Sequence, residues 1–329
     1  MSIEIELKRE FRKSAEAMKC PKHFDVHVHT LYRNYMERKS VAFLSFTFTG
    51  KTLRTAAIAL LVVVLAGFIY GSTQLLFKTS TQNINIELAA DSKLVLKHTS
   101  GKAIRQSLDD VRRQLAVGES AIVYFTDLAK EDYPLFRKYP VLPVSNPYLY
   151  SDLEQWTTLL SERNLVFKQP SHLPASYTFA GGKQELPLGG TITPTSYGLI
   201  GELRKNAEET GNSVVWRKIA LEAATIPAFT SIYKNDHQEE IYVSMQVVPA
   251  TNVDIRGLTG NQTTSENVKV NERDAFYTNN NNQMLSKTDV YQDLVWLESE
   301  HDRTIVYRVS SGSLTVTKDE LLQIAQSMR

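Results

Sequence analysis

Four side chains within ten residues have the chemistry of a metal site: Cys20, His23, His27 and His29, in the run Cys20-Pro-Lys-His23-Phe-Asp-Val-His27-Val-His29. Thiolate and imidazole are the common donors to zinc, and three of the chain's seven histidines fall in this stretch. The other four, His98, His172, His237 and His301, stand apart from it and from one another. Two readings stand, a local zinc site and a chance cluster on a polar face. No metal, cofactor or catalytic residue is assigned.

Part of this run, Asp25-Val-His27-Val-His29-Thr30, resembles the first-strand metal motif of amidohydrolase and related phosphoesterase barrels. That resemblance implies more His and Asp ligands on later strands of a barrel of roughly 250 residues. A long uncharged run begins at Thr55 and leaves no room for one. The cluster is also similar to the His-Cys-Cys zinc motif of some bacterial anti-sigma factors, but it has one cysteine and a different spacing. Elsewhere there is no Gly-x-Ser-x-Gly elbow and no His-Glu-x-x-His pair, and the glycines at 181, 182, 189 and 190 fit neither a phosphate loop nor a dinucleotide fingerprint. They read as hairpin corners. The expectation is a protein that is not an enzyme.

The elements that would position these residues are set by a membrane. Residues 55–77 form 23 consecutive positions without a charge, which predicts one transmembrane helix, since about 20 apolar residues cross a hydrocarbon core. The chain average hides this: 42% hydrophobic, 22% charged and net charge +1 describe an ordinary globular protein. Residues 1–54 carry a balance of +5 and residues 78–329 a balance of −4, with Arg33, Arg38, Lys39, Lys51 and Arg54 on the N-terminal side of the run. Basic residues stay on the cytoplasmic side. The reading is therefore an uncleaved signal anchor in the cell membrane, N-terminus cytoplasmic and C-terminus extracytoplasmic. The exported 252 residues contain no cysteine and so no disulfide.

Within residues 1–54 the apolar positions Leu7, Phe11, Ala15 and Met18 recur at helical spacing, and Val28, Leu31, Tyr32 and Tyr35 make a second stripe beyond Pro21. The rest is largely Lys, Arg and Glu. This basic amphipathic segment would lie on the inner leaflet or lay its stripe in a partner's groove. The residues expected at such a contact are Leu7, Phe11, Ala15, Met18, Val28, Leu31 and Tyr35.

Beyond the run, residues 78–150 predict a polar stem, a strand around Ile84, Ile86 and Leu88, a helix over 102–116 with Ile104, Leu108, Val111 and Leu115 on one face, and a buried strand over 121–125. From Tyr133 to Tyr150 the prolines at 134, 140, 143 and 147 argue for a connector without regular structure. Residues 151–329 open on Ser151-Asp-Leu-Glu154, a capping box heading a helix with Trp156, Leu159 and Leu160 on one face, and a second helix follows over about 194–210. A meander of strand candidates comes next: 215–217, 228–233, 240–248, 267–270, 275–277, 294–297 and 304–309. Thr317-Lys-Asp-Glu320 caps a last helix bearing Leu321, Leu322, Ile324, Ala325 and Met328. The fold class is α+β: an extracytoplasmic antiparallel sheet with covering helices, joined by one transmembrane helix to a short helical cytoplasmic segment.

The closing runs Leu294-Val-Trp296-Leu-Glu, Ile305-Val-Tyr307-Arg-Val and Leu314-Thr-Val-Thr-Lys318-Asp-Glu-Leu321-Leu-Gln-Ile324 resemble the C-terminal signature of a poorly characterised bacterial family of single-span membrane proteins with an extracytoplasmic domain, some of them anti-sigma-factor-like. The resemblance implies a curved sheet distantly similar to that of lipoprotein carriers and periplasmic anti-sigma regulators. It implies a regulator or sensor, with a cytoplasmic sigma factor or other regulatory protein as inner partner and no direct contact with nucleic acid. The rival expectation is a membrane-anchored binding or carrier domain for an apolar ligand.

Overall fold

The computed structural model describes residues 73–81, 84–166, 168–174, 176–189, 194–219, 226–249, 253–300 and 302–329. In chain order the elements are β1 (Thr73–Ser80), β2 (Ile84–Asp91), α1 (Gly101–Gln114), β3 (Ser120–Phe125), α2 (Thr126–Lys130), α3 (Pro134–Lys138), β4 (Val141–Ser145), α4 (Leu153–Glu162), β5 (Thr178–Lys183), α5 (Pro194–Gly198), α6 (Ile200–Thr210), β6 (Val214–Ile219), β7 (Ala228–Lys234), β8 (Glu240–Pro249), β9 (Val253–Gly260), β10 (Thr263–Val270), β11 (Arg273–Asn280), β12 (Tyr291–Ser299), β13 (Arg303–Ser311) and α7 (Lys318–Ser327). The class is α+β. Three sheets carry it: seven strands in the order β10-β11-β12-β13-β8-β7-β5, and two sheets of three, β1-β2-β9 and β4-β3-β6.

The seven-stranded sheet is antiparallel throughout, and its two faces differ. One face is apolar: Phe229, Ile241, Val243, Met245, Trp296 and Tyr307 pack with Trp156 and Leu160 of α4 and with Leu321, Ile324 and Ala325 of α7. Alternation along each strand delivers this segregation, since successive side chains point to opposite faces. Trp296 stacks on Tyr307 directly across the β12/β13 ladder. Trp156 is fully buried and donates its indole N–H to Ser231 Oγ at 2.8 Å. Gly182 lets β5 pass over that ring, because a Cβ there would meet Trp156 at 2.1 Å. The glycines 181 and 182, expected as corners, thus lie inside a strand. The opposite face is half apolar and half polar, and the sheet β1-β2-β9 packs on its apolar half: Phe77, Ile84, Ile86, Leu88 and Ile255 meet Val248, Val295, Val306 and Phe276.

β1 corrects the expected span. Thr73 to Phe77, counted as the end of the uncharged run, belong to a strand paired with β2 from Thr73↔Asp91 to Ser80↔Asn85. Absence of charge is a looser test than apolarity. Gly71-Ser-Thr-Gln74 is uncharged but polar, and Phe77 is buried against Phe276, with ring centroids 4.5 Å apart. Lys78 to Ser80, expected as a stem, complete the same strand. Among the described residues no helix is long and apolar enough to cross a membrane. Residues 55–72 lie outside the described residues.

The helix at Gly101–Gln114 forms as its stripe requires, with Ile104, Leu108 and Val111 buried and Ser100 Oγ accepting from Ala103 N–H. β3 is buried on both faces, between α1 and α6, which suits its unbroken apolar run. The proline-dense stretch contains two elements rather than none. Pro134 takes the first turn of α3, where no amide partner is needed, and Pro143 sits in β4, an edge strand, where its missing N–H breaks no ladder. The cap expected at Ser151 is instead Asp152, which accepts from Gln155 N–H at 2.9 Å. The second capping box, Thr317 with Glu320, is present in full. Sheet pairing crosses residue 150 twice, β2 with β9 and β3 with β6.

Candidate functional site

The expected inner contact (Leu7, Phe11, Ala15, Met18, Val28, Leu31, Tyr35) and the cluster Cys20, His23, His27 and His29 all lie outside the described residues. Among the described residues no group of three or more His, Cys, Asp or Glu could hold a metal ion. The candidate site is instead a cleft where the sheet β1-β2-β9 leaves the polar half of the large sheet uncovered. The space within it, with the open solvent at its mouth included, is about 840 Å³.

Its walls are apolar. Phe77, Ile86 and Leu88 come from β1 and β2, Ile255 from β9, and Leu186 and Leu188 from the loop after β5. That loop is pinned from below: Thr230 Oγ1 donates to Glu185 O at 2.6 Å, and Lys183 Nζ to Pro187 O at 3.0 Å. At Gly257, where the two strands run side by side, a Cβ would meet Leu88 Cδ1 at 2.6 Å, so a side chain there must push that methyl aside. At the rim Glu87 pairs with Lys78 at 3.6 Å.

The floor is polar and comes from β11, β12 and β13. Asp293 faces Ser310 across the ladder and lies diagonal to Arg308, so the two side chains meet on the same face. Arg308 Nη1 donates to Asp293 Oδ2, and the residues are only 9% and 7% exposed. Tyr291 donates its hydroxyl to Ser310 Oγ at 2.8 Å, and Thr278 Oγ1 donates to the carbonyl of Asp293 at 3.4 Å. Burial raises the Asp293 carboxyl above the ordinary carboxylate range, and the Arg308 guanidinium opposes that rise without cancelling it. Burial likewise raises the Tyr291 phenol, so it stays protonated and a donor. A buried ion pair of this kind is weak evidence for stability, since desolvation of both ions consumes much of their attraction.

The pair is also incompletely satisfied. Asp293 Oδ1 and Arg308 Nε have no hydrogen-bond partner among the described residues. One strand away on the same face, Gln246 is 1% exposed, with both amide atoms in the same condition. Orphaned polar atoms are uncommon in protein interiors, and here they gather on the face that floors the cleft. The arrangement suits binding of a small molecule with an apolar body and a polar end.

Sequence reasoning took 294–297 and 304–309 for strands but passed over the charge just before the first and the charge within the second. Asp293 and Arg308 stand within otherwise apolar or uncharged strand runs, Gln292-Asp293-Leu294-Val295 and Val306-Tyr307-Arg308-Val309. That was the available signal: a charge inside a strand bounded by buried positions must be paired. The walls gave no comparable sign, because β9 contains Asp254, Arg256, Gly257 and Gly260 and lacks a clean alternation.

No curated protein and no solved structure matches the chain. Its C-terminal region, residues 224–328, matches a family described as Domain of unknown function (DUF4367), and this stretch supplies the floor residues Tyr291, Asp293 and Arg308 together with β9, while Phe77, Ile86, Leu88 and Leu186 of the walls precede it.

Proposed function

We propose that the chain is a non-enzymatic, single-pass membrane sensor whose extracytoplasmic domain binds a small ligand in the cleft between the two sheets. The observation that carries the reading is the cleft: apolar walls close over a few convergent polar groups on its floor, the makeup usual for ligand sites. The 18 residues 55–72 that precede β1 carry no charge and, as a helix, would reach about 27 Å, which supports a span. The charge balance on either side supports an inner N-terminus. In this reading the N-terminal amphipathic segment holds a soluble regulator, a sigma factor in the anti-sigma-like version, and ligand in the cleft alters that hold.

Mass spectrometry of small molecules extracted from the purified full chain tests the cleft. A compound enriched with the unmodified chain and lost from Leu188→Trp, which fills the space from the loop, supports the reading; equal content in both overturns it. The topology has its own check, because Cys20 is the chain's sole cysteine. A membrane-impermeant maleimide on intact cells should spare Cys20 and label Val117→Cys, a position 63% exposed. Labelling of Cys20 in intact cells refutes the orientation.

The apolar walls also favour a second reading, a membrane-anchored carrier that only delivers its ligand. Co-purification separates the two. A sensor should bring down a specific soluble partner that is lost when Phe11 and Met18 are made charged, and a carrier should not.

A further inference from the structure

We infer that the floor of the cleft selects a neutral head group presenting a hydrogen-bond acceptor and a donor on one planar group, a carboxamide, carried on an apolar chain. The inference rests on the binding role proposed for the cleft. Arg308 and Asp293 neutralise one another through Nη1 and Oδ2, and Tyr291 and Thr278 are engaged with Ser310 Oγ and the Asp293 carbonyl. Arg308 Nε and Asp293 Oδ1 are left buried and without a partner among the described residues. Both residues line the cleft.

Charge decides which head fits. An anionic head on Arg308 would face Asp293 and, at the rim, Glu87; a cationic head on Asp293 would face Arg308. Either one must loosen the pair and leave a buried charge uncompensated, which is costly. A carboxamide leaves the pair intact, with its C=O accepting from Nε and its N–H donating to Oδ1. The apolar chain then lies along Phe77, Ile86 and Leu88.

The test is calorimetric titration of the full chain in lipid nanodiscs, with empty nanodiscs as the blank, against octanamide, octanoate and octylammonium. Octanamide should bind about tenfold more tightly than either charged probe, the order of one charge-assisted hydrogen bond. Asp293→Asn should turn the preference to octanoate, and Arg308→Gln should turn it to octylammonium. Equal binding of all three probes, or preference for a charged one, overturns the head-group inference and leaves the cleft as a binding site. No binding by any probe overturns both. The rank order in the unmodified chain decides by itself should either variant fail to fold.

Discussion

Replacing Phe77 by alanine asks whether the chain has already entered its folded domain at a position the uncharged run assigns to the membrane. Phe77 is 8% exposed and stacks on Phe276 at 4.5 Å and 15° between ring planes. Truncation of a buried phenylalanine costs about 3–5 kcal/mol, and the loss of an aromatic stack accounts for about 0.5–1.5 kcal/mol of it. Because β1 is an edge strand that can settle inward, the lower end applies, about 3 kcal/mol. With a urea slope near 3 kcal/mol/M, roughly that of a domain of this size, the midpoint should fall by about 1 M with the slope unchanged. All three tryptophans, Trp156, Trp216 and Trp296, lie beyond residue 150, so their fluorescence reports this domain alone. Leu75, on the same strand but 55% exposed, is the control, and its alanine variant should move the midpoint within about 0.5 kcal/mol. Pairing Phe77→Ala with Phe276→Ala should show coupling, the double loss being smaller than the sum. A Phe77→Ala loss below about 1 kcal/mol would refute the placement of β1 in the fold.

Three further outcomes follow from particular contacts. Gly182→Ala forces a methyl into the Trp156 ring while Tyr150 and Gly182 hold each other's backbone at 2.8 and 2.9 Å, so neither side can retreat; a loss of about 3 kcal/mol or more in the same unfolding assay is expected, partly rescued by Trp156→Phe. Thr317→Ala removes the cap of α7, whose Leu321 and Ile324 are core residues, and should cost about 1 kcal/mol in thermal or urea unfolding. Glu239 accepts from Ser313, Thr315 and Asn235, which hold its carboxyl below the ordinary 4.5; its contribution is full above that value and is lost as the pH falls through the lowered one. Glu239→Gln should therefore flatten the acid side of a stability–pH profile, and an unchanged slope there would count against the three hydrogen bonds.

The helices and most strands were legible because their signals are local. Ile104, Leu108 and Val111 announce α1 by spacing alone, and Thr317 with Glu320 marks the start of α7. The strands of the meander show the same way, through alternation over short runs. What was not legible depends on pairing across long separations. β9 has a weak pattern and exists because β2 lies beside it, and β4 tolerates Pro143 only because no strand occupies its outer edge. The site lies in the second group. Asp293 and Arg308 meet because β12 and β13 are in a particular register, and the walls from β1, β2 and the loop after β5 come from residues more than a hundred positions earlier. Residues 1–54, where chemistry was most conspicuous in the sequence, lie outside the described residues.

The parallel pairing of β2 with β9 also sets an order of events in time. Ile84 pairs with Val253, 169 positions later. At synthesis rates of about 5–20 residues per second, β1 and β2 exist for roughly 10–30 seconds before their parallel neighbour is made. The strands that bear Val295, Val306 and Phe276, against which Phe77 and Ile86 pack, come later still. For that interval an apolar hairpin is left without cover, a natural client for a holding chaperone. The cleft is therefore assembled late: the walls it takes from β1 and β2 are among the first residues of the domain to be made, and they wait for a floor that arrives near the end.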